Sequence, residues 1–378
     1  MERQTLIRTW VGKGLTVEAA IDFVGMSKSS YYYQSKGGKG GARPSSSTQR
    51  ASGEGQVAVP NEAVLERIRE LLEGDFVDYG YQKTCAQLQL DGYLINPKKV
   101  YRLMKQNKLL NSQSLRKGLP RDFVKHRIVK PRRPLEILEM DIKYVYVPGQ
   151  GRNAFVLTAI DTFTRMALGW KVGFAMTKAE VKVLWEAIIE GHLQAADLLA
   201  RQLSVTVRSD NGAQFLAKTV REFLSDNHLL QENTHPYTPE ENGHVESFHA
   251  ILGAALEGGE FENLEQLVLV LKKFYDFYNE RRIHSSTCKL PPKIFWQAFE
   301  QGLVEVIEGK KKMKYRLLEK RQHLLGRLTF RKCEPGSLCL ILVGVIPPPK
   351  SHKSRRAVVK RRKSTPPDNN LKECFPLT

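Results

Sequence analysis

The chain has 378 residues and a formal net charge of +19 at pH 7, a length sufficient for two or three domains with separate cores. Its five cysteines show no CxxC or Cys/His ligand spacing, which argues against a disulfide framework and a structural zinc site. The N-terminus lacks the apolar core of a signal peptide, and no uncharged apolar stretch is long enough to span a bilayer. We therefore expect a cytoplasmic protein.

The positive charge is concentrated in two segments. Residues 98–133 contain thirteen Lys/Arg and one acid, and residues 310–363 contain eighteen Lys/Arg and two acids, so the rest of the chain is net acidic. Basic segments around an acidic body favour a polyanion bound by flanking regions. Solvated, disordered charge runs are the alternative interpretation.

Residues 1–35 are predicted to form a small helical domain. Thr16 can cap a helix that Gly25 ends, and Ser27 can cap a second helix over 28–33. Two helices joined by a short turn with glycine are typical of a helix-turn-helix, although an ordinary helical hairpin has the same pattern. Residues 36–59 are rich in Gly and Ser and are predicted to be a flexible linker.

Residues 60–112 are predicted to form a second helix-turn-helix domain. Asn96 and Pro97 supply the start signals of its last helix, whose apolar side chains can face a core. The opposite face would then carry four cations suited to DNA phosphates: Lys98, Lys99, Arg102 and Lys105. A solvated helix face accounts for the same charges. A basic linker, 113–133, follows and ends in two further candidate DNA contacts, Arg132 and Arg133.

From residue 134 the hydrophobic periodicity changes to an α/β order. The predicted elements are strands 136–147, 154–161 and 166–174, a helix from Thr177 to about 196, a strand 203–209, a helix 213–227, a strand 229–233 and a helix from about Glu240. Three hairpin-linked strands followed by alternating helices and strands predict one mixed five-stranded sheet. This order is that of ribonuclease-H-like domains, here a core over 134–258 preceded by all-α domains.

The C-terminal part returns to helix and then becomes strongly basic. Residues 259–305 are predicted to be a helical extension that carries Arg281 and Arg282 as candidate DNA contacts. Residues 306–378 are predicted to form a basic region, with a small β module around an apolar strand at 338–346 and a disordered tail.

Three acids of the predicted core are candidates for one metal site: Asp141 within a strand, Asp210 at the end of another, and Glu246 on the last helix. Mg²⁺ prefers a few carboxylates, and two such ions can activate one oxygen and stabilise another during phosphoryl transfer. Taken singly, Asp210 could be a turn residue and Glu246 a surface residue. An unpaired acid inside a strand is costly, which favours a role for Asp141.

Other acids compete for these roles. Glu139 lies in the same strand as Asp141, and Asp161 ends the next strand, where it could equally form a turn. Glu240 and Glu241 are expected in the first turn of the last helix, where the helix dipole favours acids.

Five segments together resemble the DDE transposases of the retroviral-integrase superfamily, in particular the OrfB-type (integrase core) protein of two-frame bacterial insertion sequences. They are Phe23-Val-Gly-Met-Ser-Lys-Ser-Ser-Tyr-Tyr-Tyr, Tyr79-Gly-Tyr-Gln-Lys with Val100-Tyr-Arg-Leu-Met-Lys, Ser209-Asp-Asn-Gly-Ala-Gln-Phe, Pro239-Glu-Glu-Asn-Gly-His-Val-Glu-Ser-Phe, and Tyr278-Asn with Arg282 and His284-Ser. The resemblance extends over about residues 15–300.

The resemblance implies metal-dependent cleavage at the ends of an insertion sequence, followed by attack of the freed 3′-hydroxyl on another DNA strand. Asp141, Asp210 and Glu246 match the catalytic and metal-binding triad, with two Mg²⁺ or Mn²⁺ ions. The implied partners are the terminal inverted repeats, target DNA, further copies of the chain, and the product of an upstream overlapping frame. Localisation at the bacterial nucleoid would follow.

One position departs from the family pattern. A basic residue usually follows the glutamate by two helical turns and contacts terminal DNA, whereas this chain has Gly253 there. His249 is the nearby candidate DNA contact, and together with the basic tail it is one possible substitute. A catalytically weakened DNA-binding protein that retains the fold is therefore an alternative. A ribonuclease-H-type nuclease is a second alternative, but it leaves the two helical DNA-binding domains unexplained.

Overall fold

The computed structural model describes residues 2–33, 44–52, 55–111, 129–198, 203–235, 239–309 and 313–328. The chain divides into two compact units, residues 1–48 and 49–378. The predictions for the apolar strand near 340, for the basic tail and for most of the basic linker lie outside the described residues.

The described residues of the first unit form three helices, α1 (Glu2–Gly12), α2 (Val17–Val24) and α3 (Lys28–Tyr32). The predicted caps are confirmed: Thr16 accepts a hydrogen bond from the N–H of Ala19, and Gly25 ends α2 in the left-handed region at φ 61°. Ser27 caps α3 in the same way. A small apolar core centred on Ile7, Ala20 and Ile21 joins the three helices.

The second unit begins within the first strand of a small α+β subdomain. Its elements are β1 (Ser47–Ser52), β2 (Gly55–Pro60), α4 (Asn61–Leu72), α5 (Tyr81–Leu90), β3 (Tyr93–Leu94) and α6 (Pro97–Gln106). The prediction of a flexible linker over 36–59 is therefore wrong for its second half. β1 pairs with β3, Gln49 opposite Leu94, and this long-range pairing orders a segment whose local composition indicated a linker.

The core has the predicted order, and its ribonuclease-H-like mixed sheet is confirmed. The elements are β4 (Ile137–Val147), β5 (Arg152–Asp161), β6 (Ala167–Gly173), α7 (Lys178–Ile188) with a π-turn (Ile189–Gln194), β7 (Val205–Ser209), α8 (Ala213–Leu216), α9 (Lys218–Asp226), β8 (Leu229–Asn233), a 3₁₀ turn (Pro239–Asn242) and α10 (Gly243–Leu256). The sheet order is β6-β5-β4-β7-β8. β4 to β6 are antiparallel, whereas β7 and β8 run parallel to β4.

The two faces of the sheet bury different helices. Leu138 and Met140 of β4 contribute to the core that contains α7 and α9. Val145 and Val147 contribute to the opposite core, which contains α10 and the next helix, α11 (Leu264–Glu280). Because side chains alternate along a strand, Glu139, Asp141 and Lys143 lie on the α10 face.

The chain then continues through α12 (Pro292–Glu300), β9 (Val304–Ile307), β10 (Lys314–Leu317) and α13 (Arg321–Arg327). β9 and β10 form an antiparallel hairpin. The hydroxyl of Tyr79 accepts a hydrogen bond from the N–H of Ile283 and donates one to the carbonyl of Arg281. A shared apolar core also joins α5 to α12 and this hairpin, so the α4–α6 subdomain is packed onto the rest of the unit.

Candidate active site

Asp141 on β4 and Asp210 after the parallel strand β7 lie close enough to interact electrostatically. The pairing of β4 with β7 ends at Glu139 and Arg208, each two residues before one of these acids. Asp210 directly follows the last residue of β7, at the carboxyl end where open α/β sheets bind ligands. The pKa of Asp210 is raised, first by burial and also by the negative charge of Asp141.

Each of these carboxylates has local hydrogen bonds. Oδ1 of Asp210 accepts from the N–H of Gly212 at 3.0 Å. Oδ1 of Asp141 accepts from the N–H of Ile142 at 2.7 Å, and its Oδ2 lies 3.2 Å from Nδ1 of His249. His249 belongs to helix α10, so this helix contacts Asp141 directly.

Glu246 lies in the first turn of that helix, α10, and its side chain is exposed. The position of α10 is fixed by Glu139, whose buried carboxylate accepts hydrogen bonds from the N–H groups of His244 and Val245, both at 2.9 Å. Nδ1 of His244 lies 2.7 Å from the same carboxylate. Glu246 is thus one turn away from the residue that contacts Asp141.

The competing acids have structural partners. Burial raises the pKa of Glu139 to about 7, and the hydrogen bond from Val245 opposes that shift. Asp161 is fully buried and accepts from the hydroxyl of Thr164 and from nearby backbone N–H groups. Both acids hold elements of the fold in place, which leaves them poorly suited to binding a metal.

The helix from Glu240 begins later than expected. Glu240 and Glu241 lie in the 3₁₀ turn that precedes α10, whose first residue is Gly243. The carboxylate of Glu241 is almost fully buried and accepts from the backbone N–H of His235 at 2.9 Å. The prediction that these acids occupy the first α-helical turn is therefore wrong.

Lys143 of strand β4 lies next to Gly253, where the family pattern has a basic residue on α10. A Cβ built on Gly253 would lie 3.2 Å from Nζ of Lys143, which is two residues after Asp141 on the same face of β4. Lys143 makes no ion pair within the described part of the chain. A cation is therefore present at the position where α10 has none.

His249 was predicted to contact DNA, but its side chain is buried and lies in contact with the carboxylate of Asp141. Its Nε2 is buried and has no hydrogen-bond partner in the described part of the chain. The burial of His249 therefore does not support the prediction of a DNA contact at this residue.

Among the described residues, the side chains of the three acids do not form a complete metal-binding cluster. Across the described ranges, no group of three or more His, Cys, Asp or Glu side chains is close enough to hold a metal ion. Asp141 is turned towards His249 and Asp210 towards Gly212. Two neighbouring carboxylates, Asp141 and Asp210, with a third on α10, nevertheless supply the hard oxygen donors that Mg²⁺ prefers.

The predicted basic face of α6 has the expected amphipathic form. Val100, Leu103 and Met104 are buried. On the other face Lys98 and Lys105 are exposed, whereas Lys99 and Arg102 are half-buried. The pKa of Lys99 is lowered, first by burial and then by the charge of Arg102. Neighbouring cations of this kind favour an anionic ligand.

The arginines that were predicted to contact DNA differ in their exposure and in their partners. Arg132 is exposed and pairs with Glu308 at 3.2 Å, and Arg133 donates to the carbonyl of Ser204 at 2.8 Å. Arg281 is exposed beside the ring of Phe277.

Arg282, in contrast, is buried and pairs with Asp78 at 2.8 Å. The prediction of a DNA contact at Arg282 is therefore not supported by its surroundings. Its ion pair instead joins the end of α11 to the segment between α4 and α5.

Comparison with protein families adds independent evidence. Models described as an integrase core domain match residues 131–239 and 228–292, and an HTH-like domain model matches residues 60–117. The chain therefore contains an HTH-like domain and an integrase core domain, as insertion-sequence transposases do. It has the OrfB-type architecture, in which an HTH-like domain precedes the integrase core, and its enzyme class is polynucleotidyl transferase.

Curated relatives are insertion-sequence and viral proteins. The transposase of IS904 from Lactococcus lactis strain IL1403 is 24% identical over 63% of this chain and 94% of its own length. Transposase InsD of IS2D from Escherichia coli strain K12 is 30% identical over 49% of this chain and 62% of its own length. The match to the ORF3 protein of Spiroplasma virus SpV1-C74 is 29% identical and spans 44% of that protein and 40% of this transposase.

Solved structures with a similar fold include two catalytic domains. The HTLV-2 integrase catalytic core in complex with magnesium is 20% identical, with a TM-score of 0.32, and covers 43% of this transposase and 97% of that chain. The Mos1 transposase catalytic domain is 14% identical, with a TM-score of 0.33, and covers 52% and 84%, respectively. In the described part of the transposase, no helix is both long and apolar enough to cross a membrane.

Two features of the site were missed at the level of sequence. The role of Glu139 as an anchor for α10 has no local signal, because its donors lie more than one hundred residues away. Lys143 did have a signal, since its spacing of two from Asp141 puts both side chains on one face of a strand.

Proposed function

We propose that the transposase cleaves DNA at the ends of its insertion sequence and joins the freed 3′-hydroxyl to target DNA, with Asp141, Asp210 and Glu246 as the catalytic carboxylates. The supporting observation is that the parallel pairing of β4 with β7 ends two residues before Asp141 and Asp210, whose charges interact. Glu246 lies on a helix that is anchored to the same strand through Glu139 and His249.

The family depends on divalent metal ions. We propose that the three carboxylates hold two Mg²⁺ or Mn²⁺ ions, which would activate the attacking oxygen and stabilise the leaving one. The adjacent negative charges of Asp141 and Asp210 support this proposal, because opposed carboxylates are stabilised by a shared cation.

The surrounding side chains have distinct tasks in this proposal. Nδ1 of His249 lies 3.2 Å from Oδ2 of Asp141, and this contact holds the orientation of the carboxylate. The ammonium of Lys143 lies above Gly253 and binds a phosphate of the terminal DNA strand. Glu139 holds the start of α10 against β4, which keeps Glu246 facing the site.

DNA recognition is assigned to the helical domains. The exposed cations of α6, together with Arg132, Arg133 and Arg281, are proposed to contact the phosphates of the terminal inverted repeats and target DNA. The active assembly would contain several copies of the chain on paired DNA ends, together with the product of an upstream overlapping frame. The complex would act at the nucleoid in the bacterial cytoplasm.

A strand-transfer assay on cognate ends tests this function. The isosteric variants Asp141→Asn, Asp210→Asn and Glu246→Gln should bind DNA like the wild type but transfer no strand. Equal activity of wild type and variants would contradict the assignment. If the wild type transfers nothing, a weakened DNA-binding protein is favoured, and if it only cleaves an RNA–DNA hybrid, a ribonuclease-H-type nuclease is favoured.

A further inference from the structure

A basic cleft of about 440 Å³ lies at the N-terminal end of α10, separate from the three carboxylates. The side chains relevant to its chemistry are Arg165, His244, Ser285, Ser286, Lys314 and Tyr315. No Asp or Glu is among the described residues that line it. The cleft therefore offers cations and hydroxyl groups without an acidic partner.

Arg165 is the central cation of this cleft. It lies in the turn between β5 and β6 with its backbone in the left-handed region, at φ 68°. Its Nη1 is buried, and within the described part of the chain its guanidinium makes no hydrogen bond or ion pair. Arginine stays charged in proteins, and a buried charge without a partner is costly. An anion in the cleft would remove that cost.

The nearest acids do not supply that anion. Glu139 and Asp161 are close enough to influence Arg165 electrostatically. Both carboxylates, however, are bonded to other donors: Glu139 to the start of α10 and Asp161 to its own turn. Neither forms an ion pair with the guanidinium within the described ranges.

The remaining lining groups match the chemistry of a phosphate. Lys314 is exposed on β10, and Ser285 and Ser286 present exposed side chains on the loop after α11. A planar guanidinium, an ammonium and hydroxyl groups around one cleft are suited to tetrahedral phosphate oxygens.

We propose that this cleft binds a backbone phosphate of DNA, an inference that rests on the proposed function. His244 lines the cleft and lies two residues before Glu246 on α10. A strand held here would therefore lie against the same helix end that carries the catalytic glutamate. The cleft would act as a positioning site for DNA entering the active site.

The test measures DNA affinity against salt concentration in EDTA, where no metal-dependent chemistry occurs. Arg165→Gly removes the guanidinium at a backbone conformation that glycine tolerates, and Lys314→Gln removes a charge at an exposed position. Each variant should reduce the slope of log K against log salt by about one. The control Lys178→Gln removes an exposed lysine of α7 and should leave the slope unchanged.

A second arm separates DNA from free phosphate as the ligand. Inorganic phosphate is compared with chloride at equal ionic strength, and the thermal midpoint of each variant is measured. If the slope of log K for DNA against log salt is unchanged in both variants, the proposal is overturned. This holds even if phosphate stabilises only the wild type, because the cleft would then bind free phosphate and not DNA. Strand transfer is read separately with Mg²⁺, so a failed proposed function leaves this binding result intact.

Discussion

Nζ of Lys143 occupies the space next to the backbone of Gly253, where an added Cβ would lie only 3.2 Å from it. The two residues belong to β4 and α10, the elements that carry Asp141 and Glu246. Lys143 of β4 therefore supplies a cation at the place where α10 has no basic side chain. A weakened enzyme is not required to explain Gly253.

Exchange of the two positions tests this relationship. Lys143→Gln should weaken binding of terminal DNA by roughly tenfold or more, because hydrogen bonds to charged groups contribute about 1.5–3 kcal/mol. The double variant Lys143→Gln with Gly253→Lys should recover part of that affinity, since the ammonium returns from the helix side. Fluorescence anisotropy with end-containing and random duplexes measures both effects. No loss in Lys143→Gln would contradict the role of Lys143.

His249 is expected to act through metal binding. His249→Ala removes the imidazole that contacts Asp141, and the Mg²⁺ concentration for half-maximal strand transfer should rise by about 10- to 100-fold. His249→Asn keeps an N–H donor at a similar position and should show a smaller rise. If both variants lower the maximal rate without changing the Mg²⁺ dependence, His249 has only a packing role.

Glu139 makes stability depend on pH. Its pKa is about 7 in the folded chain against an ordinary value of 4.5, so the folded state binds more protons between these values. The stabilisation is present below about pH 4.5 and is lost as the pH rises through 7, with a slope of at most about 1.4 kcal/mol per pH unit. Urea unfolding of wild type and Glu139→Gln at pH 5 and 7 measures the difference.

Glu139→Gln has no titrating group at this position, so its stability relative to the wild type should increase with pH over that window. A constant difference between the two proteins would show that Glu139 does not titrate there.

The basic tail is expected to bind DNA phosphates without sequence preference. Residues 350–363 contain eight Lys/Arg and no acid, whereas residues 364–378 contain one Lys and two acids. Deletion of 350–363 should flatten the dependence of DNA affinity on salt, because fewer counterions are released. Deletion of 364–378 is the matched control. Equal slopes for both deletions would indicate a solvated tail.

Local signals predicted much of the fold. Caps at Thr16, Ser27, Asn96 and Thr177 form as expected, and strand β8 has the predicted bounds. These features depend on side chains within a few residues, so a sequence window contains the whole interaction.

Contacts between distant segments could not be predicted in this way. The strand β1 depends on pairing with β3, and the burial of Arg282 depends on Asp78, 204 positions away. The direction of His249 likewise depends on Asp141. Sequence patterns gave the residue types of the candidate site, whereas only the packing of α10 on β4 distinguishes a DNA-facing side chain from a buried positioning residue.

The central claim is that Asp141, Asp210 and Glu246 form one divalent-metal site and that Glu139 does not belong to it. The most direct test is calorimetric titration of Mn²⁺ into the complex of the transposase with uncleaved terminal DNA. Two ions per active site are expected in the wild type and in Glu139→Gln, and fewer in Asp141→Asn. Full Mn²⁺ binding by Asp141→Asn, or loss of binding in a folded Glu139→Gln, would contradict this assignment of the metal ligands.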